Sequence, residues 1–410
     1  MKVSKCKGMI DLLPGDMARF RHVESVFRQA CIKRGYGEIR TPTLEYLYLF
    51  TSSGTLTPAM LNRVYSFLDW DGWSGERVVL RPEGTIPTAR LYLENLQIGS
   101  LARLFYVENS LSFEETGTKR RERWQCSAEL IGSDQPLADA ELVLLALEVL
   151  GDLGIGPVTV SLSHAGLIKT LLEELGLGTV EQTEVFDRVL EGDIRALGEV
   201  KTDDAELGQA LSLLLDVKGN SPGFLRNVKA VLGKSPSRFR RSLDDLAQIA
   251  ELLSAMDCAY EIDLASGRGF EYYTGVMFQF HAAERLGGGG RYNDLIPLEG
   301  GPSIPASGFA LSMDRLMCLV QLVERSPERV LVKPEARDVA QLKTCLQAAR
   351  ALREAGYIAE LDLCQQGQTD YRWLLSVSTE GSFRLTDAAT GRERKTVSQE
   401  RVLRMLREAK

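Results

Sequence analysis

The spacing of apolar residues in the first third of the chain predicts a mixture of helices and antiparallel strands. The segment MARFRHVESVFRQACIKRGY has apolar residues at helical spacing and stops at Gly35, which predicts an amphipathic helix. An extended segment broken by Pro42 follows. RVVLRPEGTIPTARLYL reads as a strand, a turn at Glu83 and Gly84, and a helix. Residues 103–132 then predict two strands joined by the charged turn GTKRRER.

The pattern changes twice further along the chain. A buried helix is predicted at about 138–151, and residues from about 175 to 255 have helical spacing interrupted by KGNSPG and GKSPSR, which indicates a helical insertion. Strand-like segments and a closing helix follow, up to about residue 325. Among these strand-like segments, LGGGGRYNDL at 286–295 predicts a tight loop in which the backbone can approach a ligand. Residues 329–410 alternate strand and helix, so we predict an α+β fold with a core at 1–325 and a small C-terminal α/β domain.

Composition narrows the class of protein. The 410 residues carry a net charge of −7, which does not favour a protein built mainly to bind nucleic acid. Seven Cys without a CxxC pair and three His predict reduced thiols and no metal site. The N-terminus has no apolar stretch typical of a signal peptide, and LADAELVLLALEVLGDLGIG contains acids and is typical of a buried helix, not of a membrane span. A cytoplasmic protein with no membrane association is therefore expected.

Two short motifs place carboxylates where a ligand can reach them. In RPEGT, Glu83 and Thr85 lie on a turn beside a strand end, where a carboxylate can hold an α-amino group. The same residues are equally typical of a helix start with Thr85 as the cap. Gln125 and Glu129 are four apart in one predicted strand and so point to the same side, as they would in a pocket or on a solvated face.

Two further motifs carry arginine and tyrosine. In SGRGFEYYTG, Arg268 is flanked by glycines, and Tyr272 and Tyr273 point to opposite faces if the segment is a strand. An aromatic core strand with a surface arginine has the same pattern. SGFALSMDRL ends in Arg315, which near a helix start can reach a triphosphate or simply be solvated.

Taken in order with KGMIDLLP, the Pro42 segment and GGRYNDL, these motifs resemble the histidyl-tRNA synthetase family over residues 1 to about 325. The resemblance implies a class II aminoacyl-tRNA synthetase fold, with an antiparallel sheet flanked by helices, and a homodimer formed through the Pro42 region. The last 80 residues look like a reduced version of the family's anticodon-binding domain.

The resemblance also implies roles for the motif residues. Glu83, Thr85, Gln125 and Glu129 would hold the amino group and ring of histidine, Tyr272 and Tyr273 would line the imidazole pocket, and Arg268 would face the carboxylate. Arg315 would hold the ATP tail, together with Glu114 of the family's second motif.

That second motif departs from the family pattern. The family has Phe-Arg-x-Glu, whose arginine contacts the α-phosphate and the amino-acid carboxylate, whereas this chain has Leu111-Ser112-Phe113-Glu114 and a shorter following loop. A hydroxyl cannot replace a forked cation. Loss of one preorganised donor costs on the order of 10²–10³ in rate, so no catalytic residue is expected.

The combination of a histidine pocket and a missing adenylation arginine is similar to a family of paralogues of the synthetases, the regulatory subunits of ATP phosphoribosyltransferase. That resemblance implies a non-catalytic, cofactor-free protein that binds histidine and supports a short catalytic subunit in the first step of histidine biosynthesis. RPEGT instead favours a histidine–tRNA ligase, weakened by Ser112, which would use ATP, Mg²⁺ and tRNA. A third possibility is a synthetase-like protein recruited to another amino-acid-dependent task.

Overall fold

The computed structural model divides into two compact units, residues 1–322 and 323–410. The part of the chain that the structure describes comprises residues 4–52, 63–70, 75–114, 119–174, 177–178, 181, 184–185, 188, 195–200, 218–231, 237–264, 273–296, 303–322, 328–336, 338–363, 371–378 and 381–408. Much of the helical insertion predicted at about 175–255 therefore lies outside the described residues, as do Arg268 and Tyr272.

The strands of the first unit form two sheets. The strands are β1 (Gly37–Glu38), β2 (Leu44–Tyr46), β3 (Ser66–Trp70), β4 (Gly75–Leu80), β5 (Ala102–Leu111), β6 (Glu122–Ile131), β7 (Thr159–His164), β8 (Lys218–Gly219), β9 (Tyr260–Asp263), β10 (Val276–His281), β11 (Arg285–Arg291) and β12 (Ala306–Ser312). Nine of them form one sheet in the order β1-β5-β6-β12-β11-β10-β7-β9-β8, and β2-β4-β3 form a small second sheet. The central pairs from β5 to β7 are antiparallel, while β1 with β5 and β7 with β9 are parallel.

The helices of this unit are α1 (Pro14–Lys33), α2 (Leu47–Ser52), α3 (Thr85–Asn95), α4 (Pro136–Asp152), α5 (Ala165–Glu174), α6 (Arg195–Glu199), α7 (Pro222–Val231), α8 (Ser237–Ala255) and α9 (Met313–Leu319), with a short 3₁₀ turn at Asn293–Leu295. The predicted first helix is confirmed, and it begins at Pro14 because a proline suits the first turn and the Asp16 carboxylate accepts a hydrogen bond from the Leu13 backbone N–H at 3.1 Å. Its buried side, which includes Phe20, Val23 and Phe27, packs into the core.

Strand alternation gives the large sheet two different faces. One face carries Phe105, Ala128, Phe278 and Phe309, which are buried in the main hydrophobic core with α1, α4 and α8. Side chains of neighbouring residues point the other way. On that second face, which we call the polar face, Glu129 of β6 lies opposite Gly308 of β12, which lies opposite Gly290 of β11. The predicted α+β fold, an antiparallel sheet flanked by helices, is confirmed.

The glycine run at residues 287–290 is part of β11, so the prediction of a tight loop was wrong. The run lies in the middle of the sheet between β10 and β12. A Cβ at Gly290 would stand 2.6 Å from the Val276 carbonyl oxygen and 3.1 Å from the Tyr273 ring. The glycines therefore serve close approach of backbone and side chains over a strand, and not a turn.

The turn before α3 is anchored by a buried ion pair. Arg81 and Glu108 are each about 3% exposed and their charged groups are 2.5 Å apart. Glu108 also accepts hydrogen bonds from Thr41, through the backbone N–H at 2.6 Å and the hydroxyl at 2.9 Å. The Arg81 guanidinium donates to the Asn109 carbonyl oxygen at 2.8 Å. Such full pairing is what a buried charge requires, and it fixes the turn against β5.

The second unit is a small sheet with helices. It contains β13 (Arg329–Pro334), α10 (Val339–Glu354), β14 (Ile358–Leu361), β15 (Trp373–Val377), β16 (Phe383–Asp387), β17 (Glu393–Thr396) and α11 (Gln399–Arg407). The strand order is β14-β13-β15-β16-β17, with β13 parallel to β14 and β15. Buried side chains of α10 and α11 pack with those of β13, β15 and β16 in a separate core. Across the described residues of both units, none of the helices is long and apolar enough to cross a membrane.

Candidate functional site

The polar face is organised around the carboxylate of Glu129, whose side chain is about 2% exposed. Its Oε1 accepts hydrogen bonds from the Thr85 hydroxyl at 3.1 Å and the Tyr106 hydroxyl at 3.0 Å. Its Oε2 accepts one from the Tyr292 hydroxyl at 2.5 Å. Gly308 makes room for this group, since a Cβ at that position would overlap Oε2. Three elements, α3, β5 and the segment after β11, therefore converge on one buried carboxylate.

Glu83 lies at the start of α3, next to this centre. Its two carboxylate oxygens accept hydrogen bonds from the backbone N–H groups of Thr85 and Ile86, each at 2.7 Å. An acid at a helix start satisfies otherwise unpaired N–H groups and interacts well with the helix dipole. The helix-start interpretation of RPEGT is thus right about the turn, but Glu83 and not Thr85 caps the helix, and the Thr85 hydroxyl is directed to Glu129.

Burial shifts the titration of both acids. It raises the pKa of Glu129 to about 8, against hydrogen bonds from Tyr292 and Tyr106 that lower it and the charge of Glu83 that raises it. Burial also raises the pKa of Glu83 to about 7, against the two backbone hydrogen bonds. Removal from water disfavours the charged form of a carboxyl group, and a second acid nearby adds to the effect. A cationic ligand would favour the ionised form of both groups, so the site is suited to binding positive charge.

The structure brings some of the sequence-predicted residues together and leaves others apart. Thr85, Glu83 and Glu129 are adjacent, and the partly buried Tyr273 lies over Gly290 on the same face. Gln125 lies on the same face, four residues before Glu129 along β6 with Ser127 between them, and it is opposite Ser312 of β12. Arg268 and Tyr272 lie outside the described residues, so their predicted roles stay predictions.

Two residues of the site were not predicted. Tyr106 and Tyr292 both donate to Glu129, yet neither stood out as a candidate from the sequence alone. Tyr292 follows the glycine run in GGRYNDL, and that motif was the available signal. Tyr106 gave a weaker one, because only the pairing of β5 with β6 shows that it lies beside Glu129.

The residues expected to contact ATP are engaged with other parts of the protein. The backbone N–H of Ser112 donates to the Arg121 carbonyl oxygen at 2.8 Å, and the Glu114 carbonyl oxygen accepts from the Arg121 guanidinium at 2.9 Å. Arg315, at the start of α9, is 44% exposed, donates to the Arg285 carbonyl oxygen and lies 3.6 Å from Glu284. Position 112 thus carries no charge to place against a phosphate. No group of three His, Cys, Asp or Glu able to hold a metal ion occurs within the described ranges.

Comparison with known proteins decides the family. The family model for histidyl-tRNA synthetase matches residues 8–316. The chain belongs to the histidyl-tRNA synthetase family. Among its relatives in this family, the ATP phosphoribosyltransferase regulatory subunit of Dehalococcoides mccartyi is 48% identical over 408 residues, 98% of each chain. A histidine–tRNA ligase of Methanocaldococcus jannaschii is 33% identical, over 88% of this chain and 86% of its own.

Solved structures in the family agree on the fold. A protein of Bacillus halodurans described as an ATP phosphoribosyltransferase regulatory subunit/histidyl-tRNA synthetase has a TM-score of 0.78 at 22% identity and covers 92% of this chain and 99% of its own. The histidyl-tRNA synthetase of Nostoc sp. PCC 7120 has a TM-score of 0.72 at 16% identity, with both chains fully covered. The predicted class II synthetase-like fold and the resemblance to the regulatory-subunit paralogue are both confirmed.

Proposed function

We propose that this chain is a regulatory subunit of an ATP phosphoribosyltransferase, which binds histidine and works with a separate, short catalytic subunit in the first step of histidine biosynthesis. The observation that carries the proposal is the 48% identity, over 98% of both chains, to a protein named as such a subunit. Under this proposal the protein acts in the cytoplasm and needs no cofactor of its own.

The geometry around Glu129 supports histidine as the ligand. Histidine offers an ammonium group and an imidazole, both of which donate hydrogen bonds to carboxylates. Glu83 and Glu129 already accept bonds from the protein, but a carboxylate has about four acceptor positions and can take more. The ring of Tyr273 offers an apolar wall for the imidazole.

Ser112 supports a role without catalysis. Charge develops at phosphorus during adenylation. The family stabilises it with an arginine, and in this chain the neutral hydroxyl of Ser112 replaces that arginine. Histidine held at this site would therefore be sensed and not activated. By linkage, if histidine changes the affinity of this chain for the catalytic partner, the partner would change its affinity for histidine by the same factor.

A histidine–tRNA ligase that uses ATP, Mg²⁺ and tRNA is the second candidate. It is favoured by RPEGT, a motif typical of the synthetases, and by the 33% identity to the Methanocaldococcus jannaschii ligase.

Histidine-dependent ATP–pyrophosphate exchange separates the two functions. We expect the purified chain to bind histidine by calorimetry and to exchange pyrophosphate at a rate about 10²–10³-fold below that of a histidyl-tRNA synthetase assayed in parallel, because position 112 lacks the arginine. Adding a short ATP phosphoribosyltransferase should then give histidine-sensitive ATP phosphoribosylation. Exchange at the rate of the reference synthetase would contradict the proposal and favour the ligase.

We further propose a homodimer formed through the Pro42 region, as the resemblance implies. The small β2-β4-β3 sheet follows Pro42, and Tyr46 of β2 and Phe67 of β3 both lie opposite Val78 of β4, while Tyr48 of α2 stacks on Tyr46 with ring centroids 5.5 Å apart. These three aromatic side chains are 43–47% exposed in the single chain. Tyr46, Tyr48 and Phe67 thus form one exposed apolar surface, and such a surface typically marks a protein interface.

Phe67→Glu tests this surface. We expect the variant to sediment as a monomer at concentrations where the native chain is a dimer, because burying an unpaired carboxylate at an interface is costly. Val397→Glu is the matched control, since Val397 is 81% exposed and belongs to the second unit. A Phe67→Glu dimer of unchanged stability would place the interface elsewhere.

A further inference from the structure

We propose that Arg285 is the residue that binds the carboxylate of the amino acid held at Glu129. The inference rests on the proposed function and concerns the same pocket. It assigns to β11 a contact that the family pattern assigns to the second-motif arginine, which this chain lacks.

The register of the sheet places two rows of residues side by side on the polar face. The first row crosses Glu129 of β6, Gly308 of β12 and Gly290 of β11. The second row lies two residues along each strand and crosses Ser127, Ala310 and Gly288, and then Gln279 of β10. Two residues along a strand correspond to about 7 Å.

Arg285 lies above the second row. A Cβ at Gly288 would stand 3.3 Å from Nη2 of Arg285 and 3.4 Å from Cγ of Gln279, which belongs to the same face. A Cβ at Gly290 would meet Cδ1 of Tyr273 at 3.1 Å. The guanidinium and the Tyr273 ring are therefore neighbours over the same strand, and the glycines beneath them let both side chains lie close to the backbone.

The electrostatics of Tyr273 agree with this placement. Burial is the main cause of the raised pKa of the Tyr273 phenol, Glu129 raises it further, and Arg285 lowers it. A negative and a positive charge thus both act on this ring. The phenol stays neutral and can contact the ligand between them.

The acidic and cationic groups of the site are complementary to the two charged groups of an amino acid. Glu83 and Glu129 form an acidic end suited to ammonium or imidazole, with the Glu129 carboxylate over Gly308 of β12. Arg285 forms a cationic end over Gly288, one row along and on the neighbouring strand β11. Two acids without a cation would repel a carboxylate, and arginine binds carboxylates through two parallel hydrogen bonds. Diagonal positions on adjacent strands are about 7–8 Å apart, which is close to the length of histidine from its ring to its carboxylate.

The position of Arg285 separates binding from adenylation. The cation is supplied from β11, while the end of β5, at Ser112, contributes none. The Arg285 carbonyl oxygen also accepts a hydrogen bond from Arg315, which links this backbone to α9. A carboxylate held from β11 allows tight amino-acid binding without a charge at the end of β5 for the reacting phosphate.

The test compares histidine with histamine, which lacks the carboxylate. In calorimetry with the full chain, Arg285→Gln should weaken histidine binding about 10- to 100-fold and leave histamine affinity unchanged, because one charge-assisted contact is removed from histidine alone. Arg285→Lys should fall between, since it keeps the charge and loses the fork. Arg350→Gln, on the exposed side of α10 in the second unit, is the matched control and should change neither affinity.

The outcomes separate this inference from the proposed function. Equal losses for both ligands would show that Arg285 shapes the pocket and would overturn its role with the carboxylate, as would an unchanged histidine affinity. If the native chain bound no histidine at all, the proposed function itself would fail and the role of Arg285 with it. Melting temperatures of all variants, measured without ligand, identify any loss that arises from unfolding.

Discussion

Glu129→Gln is expected to reduce histidine affinity by at least about 100-fold while leaving the protein folded. The substitution keeps the shape of the side chain and removes its charge, and contacts to an ionised partner are the stronger hydrogen bonds in such a site. In the native chain the carboxylate is buried and already positioned by Thr85, Tyr106 and Tyr292. Calorimetry above pH 8, where more than half of the native carboxyl is ionised, gives the largest difference.

The same variant has an expected effect on stability that depends on pH. The pKa of Glu129 in the folded protein, about 8, lies above the ordinary value of 4.5, so the folded state holds a proton that the unfolded state releases. The free energy of unfolding therefore falls as pH rises through the interval between these values, by up to about 1.4 kcal/mol per pH unit. Glu129→Gln should show a shallower fall in melting temperature from pH 5 to pH 9. A fall as steep as in the native chain would mean that Glu129 is not the buried acid described here.

Gly308→Ala is expected to have the second-largest effect, a loss of histidine affinity of about 10- to 100-fold. The added Cβ would overlap the Glu129 carboxylate, which must then leave its hydrogen bonds with the tyrosines. Gly151→Ala is the matched control, because Gly151 lies in α4 with open space around its Cβ position. Near-native affinity in Gly308→Ala would show that Glu129 can bind ligand from a different position.

Strand periodicity was sufficient to predict part of this site. The four-residue spacing of Gln125 and Glu129 placed both on one face of β6, and the structure has them there. RPEGT was correctly read as strand, turn and helix. These features depend on neighbours in sequence, where backbone geometry dominates.

The rest depends on contacts between distant segments. Tyr106 and Tyr292 reach Glu129 from residues 23 and 163 positions away, and no local pattern encodes that convergence. The glycine run was misread because a glycine-rich strand is unusual, and only the neighbouring strands give the glycines a reason to be there. Arg285 was missed because its long side chain reaches over Gly288, three residues ahead of it in β11.

The three glycines beneath the side chains of the site limit how this protein can diverge in evolution. At Gly288, Gly290 and Gly308 a change to any other residue adds a Cβ that would crowd Arg285, Tyr273 and Glu129 respectively, so drift at these positions disturbs the site. Loss of ligand recognition is then reachable by many single mutations, whereas its recovery requires the return of glycine at the same codon. Lineages that still use this pocket should therefore show strong purifying selection at these three glycines, and lineages that have abandoned it should lose them early.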